Sequence, residues 1–369
     1  MADVTLPIHI VKGRSSSTRI PHRFEKDMRS AYDDGWGTLE DAALDAPKLA
    51  THLMFEDARS VISRNDSPDI FFDHSINPYR GCEHGCIYCY ARPTHSYLNL
   101  SPGLDFETKI IAKRNIAEVL RRDLAKPGYV PRLLNIGSNT DCYQPVEREL
   151  RLTRQTIEVL QQVRHPFSII TKSAGIERDL DLLVPLANAR LAAAYITITT
   201  LDGELARKME PRAASPQRRL RTIRTLAEHG VPVGVSVAPQ IPFVNDDMEQ
   251  VLKAAWEAGA RSAFYTVIRL PWELAPLFRQ WLDLHYPQRA ARIMARIQEI
   301  CGLDDDARHR GKVYNSDFAS RMKGSGLWAD LIRQRFEKTC HRLGFNRERV
   351  ELDLSQFRPA LAHGQSEMF

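Results

Sequence analysis

The sequence lacks an apolar run long enough to span a membrane, so it predicts no transmembrane helix. Residues 1–12 lack an apolar core between a basic start and a small-residue cleavage site, so we expect no signal peptide and a cytoplasmic protein without a membrane partner. There is no internal repeat of fixed period and no low-complexity tract, which argues against a repeat architecture. The 369 residues are 43 % hydrophobic and 26 % charged, as in globular proteins, and this length suits one barrel with appendages.

Cysteine is sparse and unevenly distributed. The six cysteines occupy positions 82, 86, 89, 142, 301 and 340, so three of them fall within eight residues. A disulfide framework is unusual in a cytosolic enzyme of this size, and the crowded trio therefore indicates metal or redox chemistry. The net charge of +5 is a mild excess that permits an anionic substrate without demanding one.

From about residue 69, short apolar runs alternate with amphipathic stretches. Strands are predicted near residues 70–78, 132–137, 167–172, 191–199, 232–238 and 262–268. Helices are predicted near residues 107–124, 150–163, 178–187, 215–229, 246–258 and 273–284. Six strand-then-helix units predict parallel strands in an α/β barrel or a doubly wound sheet.

Appendages are predicted on both sides of this core, which spans residues 70–285. Residues 1–69 read as an N-terminal arm that wraps the core, with one helix near residues 39–62. Residues 286–369 read as a C-terminal extension of helices followed by a polar tail. Within the core, the helix near 215–229 has clear boundaries, because Ser215 can cap it and Gly230 can end it.

The crowded cysteines lie in the segment NPYRGCEHGCIYCYAR (residues 77–92), on the loop that follows the first predicted strand. Active sites of α/β barrels gather at that end of the strands. Thiolates suit iron–sulfur clusters or zinc. Three thiolates leave one iron of a cubane open to chelate a substrate or cofactor, while Gly81 and Gly85 let the loop curl around it. The alternative is a non-enzymatic zinc or iron–sulfur protein, in which His84 and His95 complete a zinc site.

The spacing C-x3-C-x-aromatic-C after a first strand resembles the signature of the radical S-adenosylmethionine (SAM) superfamily. The resemblance implies a partial (β/α)6 TIM-like barrel and a [4Fe–4S] cluster held by Cys82, Cys86 and Cys89. It further implies SAM on the open iron and its reductive cleavage to a 5′-deoxyadenosyl radical. The cluster would receive its electron from a donor such as flavodoxin or ferredoxin, and the substrate stays unknown.

Longer segments resemble the spore photoproduct lyase-related branch of that superfamily, over roughly residues 70–345. They are residues 77–92, 136–149, 198–220, 237–246 and 269–278. This resemblance makes a DNA lesion repair lyase the alternative function, although fold-level analogy does not fix a substrate. An arginine run spans the helix near 215–229 and could meet nucleic-acid phosphates. We favour a solvated outer helix face for it, since no aromatic residues interleave with the arginines.

Several polar residues at predicted strand ends are candidates for binding SAM. Ser138 and Asp141 follow the second strand, where an acidic side chain can accept from the SAM ammonium; an Asx or Ser turn is the alternative. Lys172 follows the third strand and can hold the SAM carboxylate, or be a solvated lysine. Thr197 and Thr199 share one face of the fourth strand and can bond the ribose or carboxylate, although β-propensity alone would also place threonine there.

Two apolar candidates could contact the adenine of SAM. Tyr88 directly precedes the last cysteine of the loop, and Ile241 lies in the proline-containing loop after the fifth strand. Simple loop packing is the alternative for both residues.

Cys142 is the candidate catalytic residue. Spore photoproduct lyase uses a cysteine from the equivalent region to return a hydrogen atom to the product radical, and an S–H group can donate in this way. The alternative for Cys142 is a small, buried, apolar side chain. Cys301 and Cys340 lie on predicted helices and are expected in the core.

Overall fold

The computed structural model describes residues 10–25, 49–302, 313–348 and 350–359. Its main sheet has seven strands in the order β10-β9-β8-β7-β6-β3-β2, of which β3 and β6–β10 run parallel and β2 is an antiparallel edge strand. These strands are β2 (Ile62–Arg64), β3 (His74–Ile76), β6 (Leu134–Ile136), β7 (Phe167–Thr171), β8 (Ala192–Thr197), β9 (Val233–Ser236) and β10 (Ser262–Phe264). The six predicted strands match the six parallel strands, which confirms the α/β class and agrees with a partial barrel.

The strands of the main sheet are short, and β6 to β9 are almost continuously buried because helices cover the sheet. Phe167 and Ile169 of β7 and Ile196 of β8 are fully buried. Near-continuous burial is typical of parallel strands in α/β proteins, whereas an open antiparallel sheet alternates apolar and polar residues.

Helices follow the parallel strands and continue beyond the last one. They are α1 (Leu104–Thr108), α2 (Ile116–Leu124), α3 (Glu147–Leu150), α4 (Leu152–Gln162), α5 (Leu180–Asn188), α6 (Gly203–Met209), α7 (Pro216–Glu228), α8 (Met248–Glu257), α9 (Leu274–His285), α10 (Ala290–Ile300) and α11 (Gly326–Leu343). Short 3-10 helices occupy Arg92–Leu98, Ala174–Asp179 and Leu354–Gln356. No helix of the described residues is long and apolar enough to cross a membrane.

Helix α7 has the predicted boundaries. The Ser215 hydroxyl accepts from the N–H of Arg218 at 3.3 Å, which satisfies one of the free donors at the helix start. Gly230 follows the helix with φ +76°, a conformation that glycine adopts without strain.

A second, three-stranded sheet was not predicted. It has the order β1-β5-β4, with β1 (His52–Glu56) parallel and β4 (Tyr79–Arg80) antiparallel to β5 (Lys109–Lys113). The predicted helix over residues 107–124 is therefore wrong in its first part. The reason is the period-two burial of β5, in which Ile110 and Ala112 point inward and their neighbours do not.

The predicted arm contributes to both sheets. β1 and β2 replace the end of the helix predicted near residues 39–62, and residues 39–48 of that prediction lie outside the described residues. β1 forms because its backbone pairs with β5 in register from His52↔Lys109 onward. The division of the chain into arm, core and extension stays a prediction.

A second apolar core lies beside the barrel core. It joins α9 and α10 to the cysteine loop through Ile87 and Tyr88, with Phe278 and Trp281 among its members. This core fixes the far side of the cysteine loop against the C-terminal helices.

Candidate active site

A cavity of about 380 Å³ opens at the carboxyl ends of the parallel strands. The cysteine loop, which follows β3 and β4, forms one wall, and the loops after β6, β7, β9 and β10 form much of the rest. Thr197 at the end of β8, residues 69–72 before β3, and Met322 and Lys323 before α11 complete the lining. Most of the predicted site residues line it: Cys82, Cys86, Cys89, Tyr88, Ser138, Asp141, Lys172 and Thr197. The strand-end positions predicted from the sequence therefore converge on one space.

The cysteine loop is shaped by two glycines in left-handed conformations. Gly81 has φ +77° and Gly85 has φ +64°. A Cβ at Gly81 would lie 2.9 Å from the carbonyl oxygen of Lys109, and one at Gly85 would lie 2.6 Å from Oε2 of Glu107. No other residue type fits these positions without displacing its neighbours, so the glycines let the loop turn its three thiols into the cavity.

The thiols of Cys82 and Cys86 are shielded from water, whereas Cys89 is half-buried. Burial raises the pKa of Cys82 well above its usual range and the pKa of Cys86 to about 12, although Lys172 opposes the latter shift. Soft metal ions deprotonate thiols that coordinate them. Three thiols from one loop, without a fourth cysteine in the lining, are a donor set that fits a cubane cluster with one open iron.

His95 stands apart from the cavity. Its Nε2 lies 3.1 Å from the backbone oxygen of Lys109, and burial lowers the pKa of His95 to about 4. His84 does line the cavity. Among the described residues, no three His, Cys, Asp or Glu side chains are grouped so as to hold a single metal ion. His95 therefore contacts the backbone of β5 and not the cavity.

Asp141 is held by several donors. Its Oδ1 accepts from the hydroxyl of Thr171 at 2.7 Å and the N–H of Tyr143 at 2.9 Å, and its Oδ2 accepts from the N–H of Lys172 at 2.7 Å. Nδ1 of His84 lies 3.2 Å from Oδ2 without the alignment of a hydrogen bond. Burial alone would raise the pKa of Asp141, but His84 and the hydrogen bonds hold it well below its usual range. Asp141 therefore ties the end of β7 to the loop after β6.

Lys172 presents a cation to the cavity. Its Nζ lies 5.9 Å from the centroid of the Tyr88 ring. Burial lowers the pKa of Lys172, but Cys86, Glu210 and Asp141 raise it by more, so the ammonium stays charged. A charged ammonium at this place can bind a carboxylate.

A buried polar group supports Tyr88 from behind. The Tyr88 hydroxyl donates to Glu210, and the Thr199 hydroxyl donates to the same Oε1 at 2.6 Å. Thr199 is therefore behind the cavity wall and does not line it. The other oxygen of Glu210 pairs with Arg219, and both side chains are at most 1 % exposed.

The solvated arginine face predicted for α7 is accordingly wrong at Arg219. Arg219 shares the helix face of Ile223 and Leu226 by the i, i+4, i+7 spacing, and this spacing was the signal for its burial. Arg221 and Arg224, on the opposite face, are exposed as predicted.

Ile241 and Cys142 lie outside the cavity lining. Ile241 is 1 % exposed and packs in the second apolar core, while its neighbour Pro239 reaches the cavity. Cys142 is fully buried behind Gly137, and a Cβ at Gly137 would lie 3.0 Å from its Sγ. The roles assigned to both residues stay predictions.

The lining includes residues that the sequence did not indicate. The guanidinium carbon of Arg269 lies 4.7 Å from the centroid of the Tyr90 ring. Lys323, from the segment before α11, donates to the backbone oxygen of Tyr265 at 2.8 Å, and burial lowers the pKa of Lys323 to about 8. The Oδ1 of Asn135 and the hydroxyl of Tyr265 are buried and have no hydrogen-bond partner among the described residues. Lys323 lies between two predicted helices in a segment without periodicity, so no pattern pointed to it.

Comparison with protein families places these features in a known class. Residues 76–255 match the model of the radical SAM superfamily. This region of the chain belongs to the radical SAM superfamily, as its cysteine motif predicted. Members of this superfamily typically use a [4Fe–4S] cluster and SAM, and they need a reductant.

Two curated relatives are named as uncharacterised proteins. One from Mycobacterium tuberculosis is 35 % identical over 224 residues, which are 60 % of this chain and 66 % of the relative. One from Methanocaldococcus jannaschii is 28 % identical over 213 residues, 58 % of this chain and 76 % of the relative. The match thus spans slightly less than two thirds of the first relative's length.

Solved structures of spore photoproduct lyase share the fold. A tyrosine-to-phenylalanine variant superimposes with a TM-score of 0.54 at 15 % identity, covering 79 % of this chain and 80 % of that one. A variant with bound AdoMet and dinucleoside spore photoproduct gives a TM-score of 0.50 at 15 % identity, covering 79 % and 78 %. The likeness confirms the predicted fold.

Proposed function

We propose that the chain binds one [4Fe–4S] cluster through Cys82, Cys86 and Cys89, binds SAM at the open iron, and uses the resulting radical on a substrate yet to be identified. The observation that carries this proposal is the convergence of the three thiols with Asp141 and Lys172 in one cavity at the strand ends. When bound and reduced, the cluster supplies the electron that cleaves SAM to methionine and a 5′-deoxyadenosyl radical.

The residues of the cavity have distinct tasks in this proposal. Lys172 holds the SAM carboxylate, because its ammonium is charged and faces the cavity beside Tyr88. Tyr88 packs against the adenine, with its hydroxyl anchored on Glu210. Ser138 and Thr197 offer polar contacts to the rest of the cofactor. The carboxylate of Asp141 accepts from the backbone N–H of Lys172 and so holds Lys172 in position. Asp141 therefore affects SAM binding through Lys172.

The electron donor in this proposal is a small redox protein such as flavodoxin or ferredoxin. The proposed location is the cytoplasm, where thiols are kept reduced. The reducing conditions of the cytoplasm would keep the three free thiols of the loop from forming disulfides.

Anaerobic reconstitution tests the cluster. We expect about four iron and four sulfide per chain, the content of one cubane cluster. The triple replacement of Cys82, Cys86 and Cys89 by alanine should abolish both, whereas the matched control Cys340→Ala, in helix α11, should retain them. Uptake of zinc without sulfide would overturn the proposal in favour of a non-enzymatic zinc protein.

The release of 5′-deoxyadenosine tests the radical chemistry. With dithionite as reductant, the reconstituted protein should release it slowly from SAM even without substrate. A fully reduced cluster that never releases it, and whose spectrum is unchanged by SAM, would refute the proposal.

A DNA lesion repair activity is the second candidate, suggested by the likeness in fold to spore photoproduct lyase. The arginine run does not strengthen it, because Arg218 pairs with Glu177 near the surface and Arg219 pairs with Glu210 inside the protein. Lesion-containing DNA that accelerates SAM consumption, when undamaged DNA does not, would favour this candidate.

A further inference from the structure

A fully buried ion pair lies on the side of the cysteine loop that faces away from the cavity. Arg92 and Glu107 have side chains with no exposed surface, and Nη2 of Arg92 lies 2.6 Å from Oε1 of Glu107. Neither residue lines the cavity. A buried pair of this kind stabilises a fold only when further hydrogen bonds satisfy its remaining donors and acceptors, so the partners of the pair indicate its purpose.

The guanidinium of Arg92 donates hydrogen bonds to the backbone of the cysteine loop. Its Nη2 donates to the carbonyl oxygen of Gly85 at 2.9 Å, and its Nε donates to that of Cys86 at 2.8 Å. Its Nη1 donates to the backbone oxygens of Pro102 and Gly103, which also lie in the segment between β4 and β5. The planar fork of arginine can hold two neighbouring carbonyl groups in one orientation, which the point charge of a lysine cannot do.

The N-terminal segment completes this arrangement. The hydroxyl of Ser15 donates to the same Gly85 carbonyl, while the N–H groups of Ser15 and Ser16 donate to the carboxylate of Glu107 at 3.2 and 3.0 Å. Nη1 of Arg14 donates to the backbone oxygen of Glu107 at 2.6 Å. Residues 14–16 thus dock on Glu107, and the Gly85 carbonyl is fixed by two donors from different parts of the chain.

Fixing this carbonyl also fixes a donor. In a planar trans peptide the C=O and N–H point in opposite directions. With the Gly85 oxygen held toward Arg92, the N–H of Cys86 points away from Arg92, to the side where the thiols line the cavity. The hydrogen bonds between described residues do not include this N–H. It is therefore available to a sulfur of a bound cluster.

We propose that Arg92, seated on Glu107 and Ser15, is a positioning residue that orients the Gly85–Cys86 peptide and thereby sets the reduction potential of the cluster. Hydrogen bonds to cluster and cysteine sulfur raise this potential, because the reduced cluster carries one more negative charge and gains more from an N–H dipole. The inference rests on the proposed cluster, and it extends the function of the N-terminal segment from wrapping the barrel to tuning its redox centre.

Redox titration of the reconstituted protein, followed by the electron paramagnetic resonance signal of the reduced cluster, tests this role. Arg92→Lys keeps the positive charge and loses the fork, so the midpoint potential should become more negative. Ser15→Ala removes one of the two donors to Gly85 and should shift the potential less, in the same direction. The matched control is Arg178→Lys, at an arginine that pairs with Glu147 and Asp179 away from the cavity. It should leave the potential unchanged even if it lowers the melting temperature.

The possible results separate this inference from the proposed function. A wild-type chain that takes up no cluster refutes the proposed function, and with it the inference about the reduction potential. A wild-type cluster whose potential and spectrum are the same in folded Arg92→Lys protein refutes the positioning role alone. If Arg92→Lys protein does not fold, Ser15→Ala decides the matter, and an unchanged potential there also refutes it. If folded Arg92→Lys protein loses its cluster, the potential of the Ser15→Ala cluster likewise decides the matter, and a shift to more negative values there supports the role.

Discussion

Replacement of Asp141 by asparagine removes one negative charge and keeps the shape of the side chain. The two carboxylate oxygens accept from two backbone N–H groups, Tyr143 on Oδ1 and Lys172 on Oδ2. Whichever way the new amide is turned, its NH2 group faces one of these N–H groups. A buried donor left without its acceptor costs about 1–3 kcal/mol, and the remaining bond weakens from charged to neutral by about 1 kcal/mol. We therefore expect the free energy of unfolding to fall by about 2–4 kcal/mol.

Urea unfolding of the metal-free protein measures this loss, with Asp57→Asn as the control at an exposed ion pair that should show no measurable change. In the reconstituted protein, Asp141→Asn should retain the cluster, because the cluster ligands lie elsewhere, and should bind SAM more weakly, because Lys172 loses its support.

The effect of Asp141 also has a predicted pH dependence. The pKa of Asp141 in the folded state lies well below its usual range, so its contribution is present in full above the unfolded pKa of about 3.9 and is lost as the pH falls below that value. The stability difference between wild type and Asp141→Asn should therefore shrink below about pH 4. If Asp141→Asn unfolds like wild type at neutral pH and binds SAM with the same affinity, the reasoning about this residue is wrong.

Three further substitutions test other parts of the site. Cys142→Ala should keep the cluster and SAM cleavage and lower stability by about 1–2 kcal/mol if the thiol is only packed; loss of product formation, once a substrate is known, would instead support the hydrogen-donor role. Gly85→Ala places a Cβ against Glu107 at positive φ and should lower both the melting temperature and the iron content, so normal iron retention would contradict the account of the loop. Glu210→Gln leaves Arg219 buried without its counter-ion and should destabilise the fold by about 3–5 kcal/mol, and calorimetry that finds no change would refute that assignment.

The parallel strands and the cysteine loop were predictable because their signals are local. The apolar runs of β7 and β8 are bounded by polar residues, and the cysteine spacing lies within eight residues of sequence. The positions of Ser138 and Lys172 followed from one geometric rule, that the carboxyl ends of parallel strands meet at one edge of the sheet.

The parts that could not be predicted depend on contacts between distant residues. The pairing of β1 with β5 joins segments about fifty residues apart, and a strand of five residues such as Lys109–Lys113 can extend a neighbouring helical pattern without a break. The helical spacing places Arg219 on the buried face of α7, but its pairing with Glu210 is not visible from the sequence. The burial of Arg92 depends on Glu107 and is not visible until that partner is known. Cys142 was predicted near the site because it follows Asp141 in sequence, but only Asp141 lines the cavity.

The three-stranded sheet has a consequence for the way a cofactor could be loaded. β4 ends at Arg80 and β5 begins at Lys109, and the two strands pair with Arg80 opposite Ile111. The segment between these strands, residues 81–108, carries all three loop cysteines. The pairing of β4 with β5 brings the two ends of this segment together without a bound cofactor. Closing a flexible loop of this length has an entropic cost of about 3 kcal/mol. Strand pairing meets that cost before any cluster is bound, so weakening of this small sheet should slow cluster insertion before it affects the barrel.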